Sequence, residues 1–154
     1  AGVPVNALRL SAIHAALDVC DRPSPQSDYE AKFSLQHCVA AALNRETVDF
    51  AAFAEPARRE LAALRKQVTA RVAEPYASAY PKAWGSAVTV TVRGGERLTV
   101  WRTHAKGDPE APLTPIELIT KARMLMIHGG VSKPDRLIDA ILALSDDEAL
   151  PELP

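Results

Sequence analysis

Ala87-Val-Thr-Val-Thr-Val-Arg-Gly-Gly-Glu-Arg-Leu-Thr-Val-Trp-Arg-Thr103 decides what kind of fold this chain can have. Val88, Val90 and Val92 alternate with Thr89, Thr91 and Arg93. Beyond Gly94-Gly95, Leu98 and Val100 alternate with Arg97, Thr99 and Trp101. Period-2 alternation on both sides of a glycine pair is the pattern of a β-hairpin. Parity then sets the register. A two-residue loop at Gly94-Gly95 would put the valines opposite Thr99. A three-residue loop, Gly94-Gly95-Glu96, pairs Val92 with Leu98 and Val90 with Val100 and keeps one apolar face, because a one-residue slip flips every side chain. The odd-length loop is therefore expected, with a glycine in the left-handed region. The face carrying Thr89, Thr91, Arg93, Arg97, Thr99 and Trp101 is mostly polar and should see water. Helices should then cover the other face only. The expected fold is α+β, a two-layer α/β sandwich with a mainly antiparallel sheet and helices on one face.

On the N-terminal side, residues 5–12 alternate toward their end and read as a short strand. Asp18, Asp21, Pro23, Ser24 and Pro25 mark residues 18–26 as a loop. Ser27-Asp28-Tyr29-Glu30 has the form of a capping box, in which Ser27 accepts from the third amide and Glu30 reaches back to the cap. It predicts a helix over 28–43, stopped at Asn44. Residues 47–53 read as a short helical turn. Pro56 starts a helix to about Lys66, with Leu61 and Leu64 as its apolar contacts, and residues 68–73 alternate as a strand. Residues 74–86, with Pro75, Pro81 and Gly85, read as a loop. On the C-terminal side, Thr114-Pro115-Ile116-Glu117 is a second capping box with Pro at the first helical position. That helix should end at Gly129-Gly130 and bury Leu118, Ile119, Ala122, Leu125 and Met126. Ser132 and Pro134 open a last helix carrying Leu137, Ile138, Ile141, Leu142 and Leu144. Residues 146–154 are acidic and Pro-bounded and read as a loose tail.

The length of 154 residues suits one domain. The net charge of −1, with both signs intermixed, leaves no basic stripe for nucleic acid. No apolar run approaches the roughly 20 residues of a membrane span. The start, Ala1-Gly-Val-Pro4, has neither the basic and apolar regions of a secretory leader nor an initiator Met. It reads as a fragment or a processed product. Cys20 and Cys38 make no disulfide framework and no metal spacing, so two buried free thiols in a cytoplasmic protein are expected.

The 28–43 helix has two apolar faces. At about 100° per residue, Leu35, Cys38, Val39, Ala42 and Leu43 share one side, suited to the chain's own sheet. The other side holds Phe33, His37, Ala40 and Ala41, with Ser34 at its edge, where a surface helix would show charges. Either the 74–86 loop tucks over this second face or a surface outside the domain covers it. The short chain favours the outside surface. Of the four histidines, His14, His104 and His128 read as surface or capping residues. His37 stands out mid-helix among small residues, where it could act as acid or base near neutral pH. Lys32 lies nearer the core stripe and can snorkel to solvent. His104-Ala-Lys-Gly-Asp-Pro109 does not have the glycine spacing of a phosphate loop.

Glu30-Ala-Lys-Phe-Ser-Leu-Gln-His-Cys-Val-Ala-Ala-Ala-Leu43 resembles a segment of the MmgE/PrpD family. The family includes 2-methylcitrate dehydratase, cis-aconitate decarboxylase and iminodisuccinate epimerase. The resemblance continues in order through Tyr80-Pro81, the strand ending Arg93-Gly94-Gly95, and Gly107 to Lys121. It covers essentially the whole chain and corresponds to the family's small C-terminal α+β domain. It implies a partner, the large helical domain of the same enzyme, which carries most acid/base residues. It also implies a homodimeric full-length protein, a small polycarboxylic acid substrate, and no metal or organic cofactor. The implied chemistry is proton abstraction beside a carboxylate, then elimination, decarboxylation or reprotonation. The family's small domain often offers a Tyr after Ser-x-Gln. Here that position is His37, which the resemblance marks as the catalytic candidate, with Ser34 as a substrate-binding neighbour. The alternative function is a non-catalytic α+β interaction or dimerisation module.

Overall fold

Residues 5–45 and 47–144 are described by the computed structural model of the protein. They fall into two compact units, one ending at Ala105 and one beginning at Lys106. The expected tail, 146–154, lies outside the described residues.

The first unit is built on a four-stranded sheet: β1 (Val5–Ala12), β2 (Val68–Val72), β3 (Ser86–Val92) and β4 (Arg97–Arg102). The spatial order is β2-β1-β3-β4. β1 pairs in parallel with β2 and antiparallel with β3, which pairs antiparallel with β4. The fold is α+β with a mainly antiparallel sheet, as the hairpin pattern implied. Alternation also governs β1, where Leu8, Leu10 and Ala12 are buried and Arg9 is exposed. Val5 joins the same core although it sits an odd number of residues from Leu8. An irregularity in the pairing between Val5 and Ala7 inserts Asn6 and returns Val5 to the apolar face. The opposite face carries Arg9, Thr69, Thr89 and Thr99 in adjoining register, with the hydroxyls of Thr89 and Thr99 3.0 Å apart.

The hairpin keeps the expected parity but moves its loop back by one residue. Val90 pairs with Leu98 and Val88 with Val100, and Val92 N–H donates to Glu96 O at 3.0 Å. The three-residue loop is Arg93-Gly94-Gly95, not Gly94-Gly95-Glu96. Both glycines take positive φ, 113° and 88°, so the loop is placed where two successive residues can tolerate that region. Leu98 and Val100 remain 55% and 63% exposed, so the apolar face is half-covered at β3 and exposed at the edge strand.

The helices of this unit are α1 (His14–Cys20), α2 (Asp28–Lys32), α3 (Leu35–Asn44), α4 (Glu55–Glu60), α5 (Ala62–Arg65) and α6 (Tyr76–Ala79), with a 3-10 turn at Phe50–Phe53. Four expectations change. The helix expected from Pro56 to about Lys66 is two, α4 and α5, joined at Leu61. Residues 18–20 close α1 and are not loop. Residues 76–79 form one turn of helix inside the expected loop. The 28–43 helix is two helices, broken at Phe33-Ser34, because Ser34 caps α3 itself. Ser27 accepts from Glu30 N–H at 3.1 Å, but the Glu30 carboxylate accepts from Gln26 N–H at 2.7 Å, one residue before the cap.

α3 is covered on both faces, by the chain itself. Leu35 and Val39 pack with Leu8, Leu10 and Val68 of the sheet. Ala40 and Ala41 pack with Ala52 of the 3-10 turn and Leu61, which links α4 and α5. The outside surface expected over the second face is therefore not what covers His37, Ala40 and Ala41. Alanines let the neighbouring backbone approach closely, and the 47–66 segment fills that space. Ala42 and Leu43, assigned to the sheet-facing stripe, are instead exposed. Lys32 ends over the ring of Phe50, 5.3 Å from its centroid.

The second unit contains α7 (Pro115–His128) and α8 (Pro134–Leu142). The Thr114/Glu117 capping box forms in full. Lys106 Nζ reaches the same Glu117 carboxylate at 3.0 Å. Accepting from Thr114 N–H, with Lys106 beside it, holds that carboxyl down at about 2. The expected α7 stripe is not a buried core: no α7 residue is buried, and Leu118 and Leu125 are exposed. Ile138 is the buried residue of α8, with Leu137 half-buried and Ile141 and Leu142 exposed; Leu144, expected on this helix, lies beyond its end and is half-buried.

Candidate functional site

Loop residues without a sheet or helix ladder must find hydrogen-bond partners elsewhere. The segment Asp21-Arg22-Pro23-Ser24-Pro25-Gln26 is such a case, and its partners include the side chains of Glu30, Ser34, Gln36 and two arginines. Ser34 Oγ donates to Arg22 O at 2.6 Å and accepts from His37 N–H at 3.0 Å. Gln36 Nε2 donates to the Asp21 carboxylate at 2.5 Å. Arg65 Nε donates to Pro23 O at 3.1 Å, and Arg58 Nη2 to Gln26 O at 3.4 Å. Arg58 also pairs with Asp28 and donates to Phe53 O at 2.8 Å. Pro25 is buried, while Asp21, Arg22, Pro23, Ser24 and Gln26 are exposed. The loop is thus an outward-facing strip fastened from beneath along most of its length.

His37 is part of the fastening. Its ring is fully buried, tilted against Phe53 at 5.8 Å between centroids. Nε2 lies 2.8 Å from Ala52 O, so Nε2 carries the proton and donates. Nδ1 faces Arg65 Nη1 at 3.4 Å as the acceptor. Arg65 Nη1 donates in turn to Arg58 O at 2.9 Å. Burial, helped by the charges of Arg65, Arg58 and Arg45, pushes the imidazole below its usual 6.5, against the opposing pull of the Ala52 carbonyl. The ring is neutral near pH 7. Burial and the neighbouring Arg58 also pull Arg65 down from its ordinary range, but a guanidinium stays charged there.

A depressed imidazole has a consequence for stability. The unfolded chain binds the proton more readily than the folded one, so stability is complete above about pH 6.5 and declines as pH falls toward the folded value. Urea midpoints of wild type and His37→Gln, compared between about pH 7.5 and 5, should converge as the pH drops. Parallel profiles would show that His37 does not titrate differently on folding.

Of the residues expected at a site, Ser34 and His37 are brought together, but both are fully buried and turned toward the loop and the 3-10 turn. His14 opens α1 and is exposed, and His128 sits in the last turn of α7. Among the described residues, no three His, Cys, Asp or Glu side chains are grouped to hold a metal. Cys20 and Cys38 are free and half-buried. Burial, with Cys20 adding to it, raises the Cys38 thiol, which keeps it protonated. No described helix is long and apolar enough to cross a membrane. The fastening arginines were not legible as a pair with the Ser-x-Gln-His run. The available signal was a Pro-interrupted loop whose carbonyls needed donors, followed directly by a run of polar side chains inside an apolar helix.

No curated protein matches the chain. A family model, the MmgE/PrpD C-terminal domain, matches residues 4–147 and so spans both units and every residue of the fastened loop. The chain belongs to the MmgE/PrpD family, as its C-terminal domain.

Proposed function

We propose that this chain is the small-domain part of a cofactor-independent lyase or isomerase acting on a small polycarboxylic acid, with 2-methylcitrate dehydratase-like chemistry as the first candidate. The observation that carries this reading is the family match over residues 4–147. In this proposal the chain works with a large helical domain of the same cytoplasmic, homodimeric protein, and it is inactive without that domain. Proton abstraction beside a carboxylate needs a base and donors for the developing charge. A neutral, enclosed His37 is suited to holding the geometry of such a site through the loop. The catalytic role and the substrate contact that the resemblance implies for His37 and Ser34 remain alternatives to that supporting role, and variants at His37 separate the two.

The test compares the full-length protein with this chain alone. Each is assayed for dehydration of 2-methylcitrate, decarboxylation of cis-aconitate and epimerisation of iminodisuccinate. The full-length protein is expected to turn over one of them and the isolated chain none. Turnover by the isolated chain would refute the dependence on a large domain. Inactivity of the full-length protein on every polycarboxylate would refute the enzymatic reading. It would favour the second reading, an interaction or dimerisation module, which draws support from the exposed Leu98, Val100 and Trp101 of edge strand β4.

A further inference from the structure

Arg22 occupies the middle of the fastened part of the loop. Its own carbonyl is held by Ser34, the Asp21 carboxylate before it by Gln36, and the Pro23 carbonyl after it by Arg65. Ser34 and Gln36 are 0% and 3% exposed, so these anchors belong to the packed interior. The Arg22 side chain is exposed. Its Nε makes one long contact to Val19 O, at 3.4 Å, and its two terminal nitrogens make no hydrogen bond or ion pair among the described residues. Asp21, the nearest carboxylate in sequence, is committed to Gln36. Arg71, another exposed arginine, differs: it lies on the polar sheet face and donates to Ser11 Oγ at 3.3 Å. A guanidinium presents a planar fork that matches a carboxylate, and it costs less to bind when its backbone is already fixed.

We propose that Arg22 is a carboxylate-binding residue for the substrate, held in place by Ser34, Gln36 and Arg65 acting as positioning residues. This rests on the polycarboxylate reading of the family and deepens it. The Ser34-x-Gln36-His37 run then serves the substrate from behind: its buried side chains hold the backbone that presents Arg22.

The experiment uses the full-length protein, with propane-1,2,3-tricarboxylate as an unreactive probe in calorimetric titration and the turned-over polycarboxylate in steady-state assays. Arg22→Gln should weaken probe binding and raise KM by about 10- to 100-fold, with a smaller change in kcat and no change in melting temperature. Arg22→Lys should recover part of the loss, because it restores charge but not the fork. Arg71→Gln should match wild type. If wild type binds the probe and Arg22→Gln binds it equally well, the assignment of Arg22 is overturned while the enzymatic reading stands. If wild type neither binds the probe nor turns over any polycarboxylate, both are overturned.

Discussion

His37→Ala is expected to destabilise the fold by about 2–4 kcal/mol and to lower turnover of the full-length protein by on the order of 10- to 100-fold. The stability loss has two sources. Removing a fully buried ring leaves a cavity between α3 and the 3-10 turn. It also strands the Ala52 carbonyl, which loses its 2.8 Å donor. The turnover loss follows from the loop. Arg65 loses the Nδ1 acceptor beside it, and the guanidinium that holds Pro23 is freed to shift. His37→Gln separates support from chemistry, since its amide can still donate toward Ala52. Support predicts that Gln recovers most of the stability and much of the turnover. A His37→Gln protein that folds normally yet is inactive would instead place the imidazole in proton transfer. Thermal denaturation and steady-state kinetics on the three proteins decide the matter.

Leu8→Ala is expected to cost about 3–5 kcal/mol, a large share of the 5–15 kcal/mol typical of a domain. Leu8 is fully buried on an interior strand, between Val68 of β2 and Val90 of β3, and it packs in the cluster with Leu10 and Val39. Neighbours on both sides belong to a hydrogen-bonded sheet and cannot close in without breaking its register. The cavity therefore stays open and the full penalty is felt. Leu98→Ala, on the same face but 55% exposed at the edge strand, should cost far less. Chemical denaturation of the two variants measures the difference; equal losses would show that β4 is as well covered as β1.

Much of the fold was legible because strand alternation and helix caps are local. The three valines of β3 declared their face, Pro56 and Pro115 lie where helices begin, and Thr114 with Glu117 closed the cap they spelled. Local rules failed where two of them competed. Ser34 could continue a helix or cap a new one, and its capping of α3 split the expected 28–43 element. The β-hairpin loop satisfied parity equally well at two positions, and the backbone chose the one that gives both glycines positive φ.

By itself the sequence determined the α+β class, the apolar face of the hairpin, the need to cover α3 on both sides, and the family. The first three depend on residue type at short spacing, and the family on the order of motifs along residues 4–147. Only the tertiary structure decided what covers the second face and where Ser34, Gln36 and His37 point. They point inward, because residues 47–66 return over α3 and because the carbonyls of the Asp21–Gln26 loop require donors. Those contacts join residues up to 42 apart in the chain, as in the bond from Arg65 to Pro23, and no periodicity records them. The helix with two apolar faces thus proved to be the floor of a loop whose outer side carries Arg22 among its exposed residues.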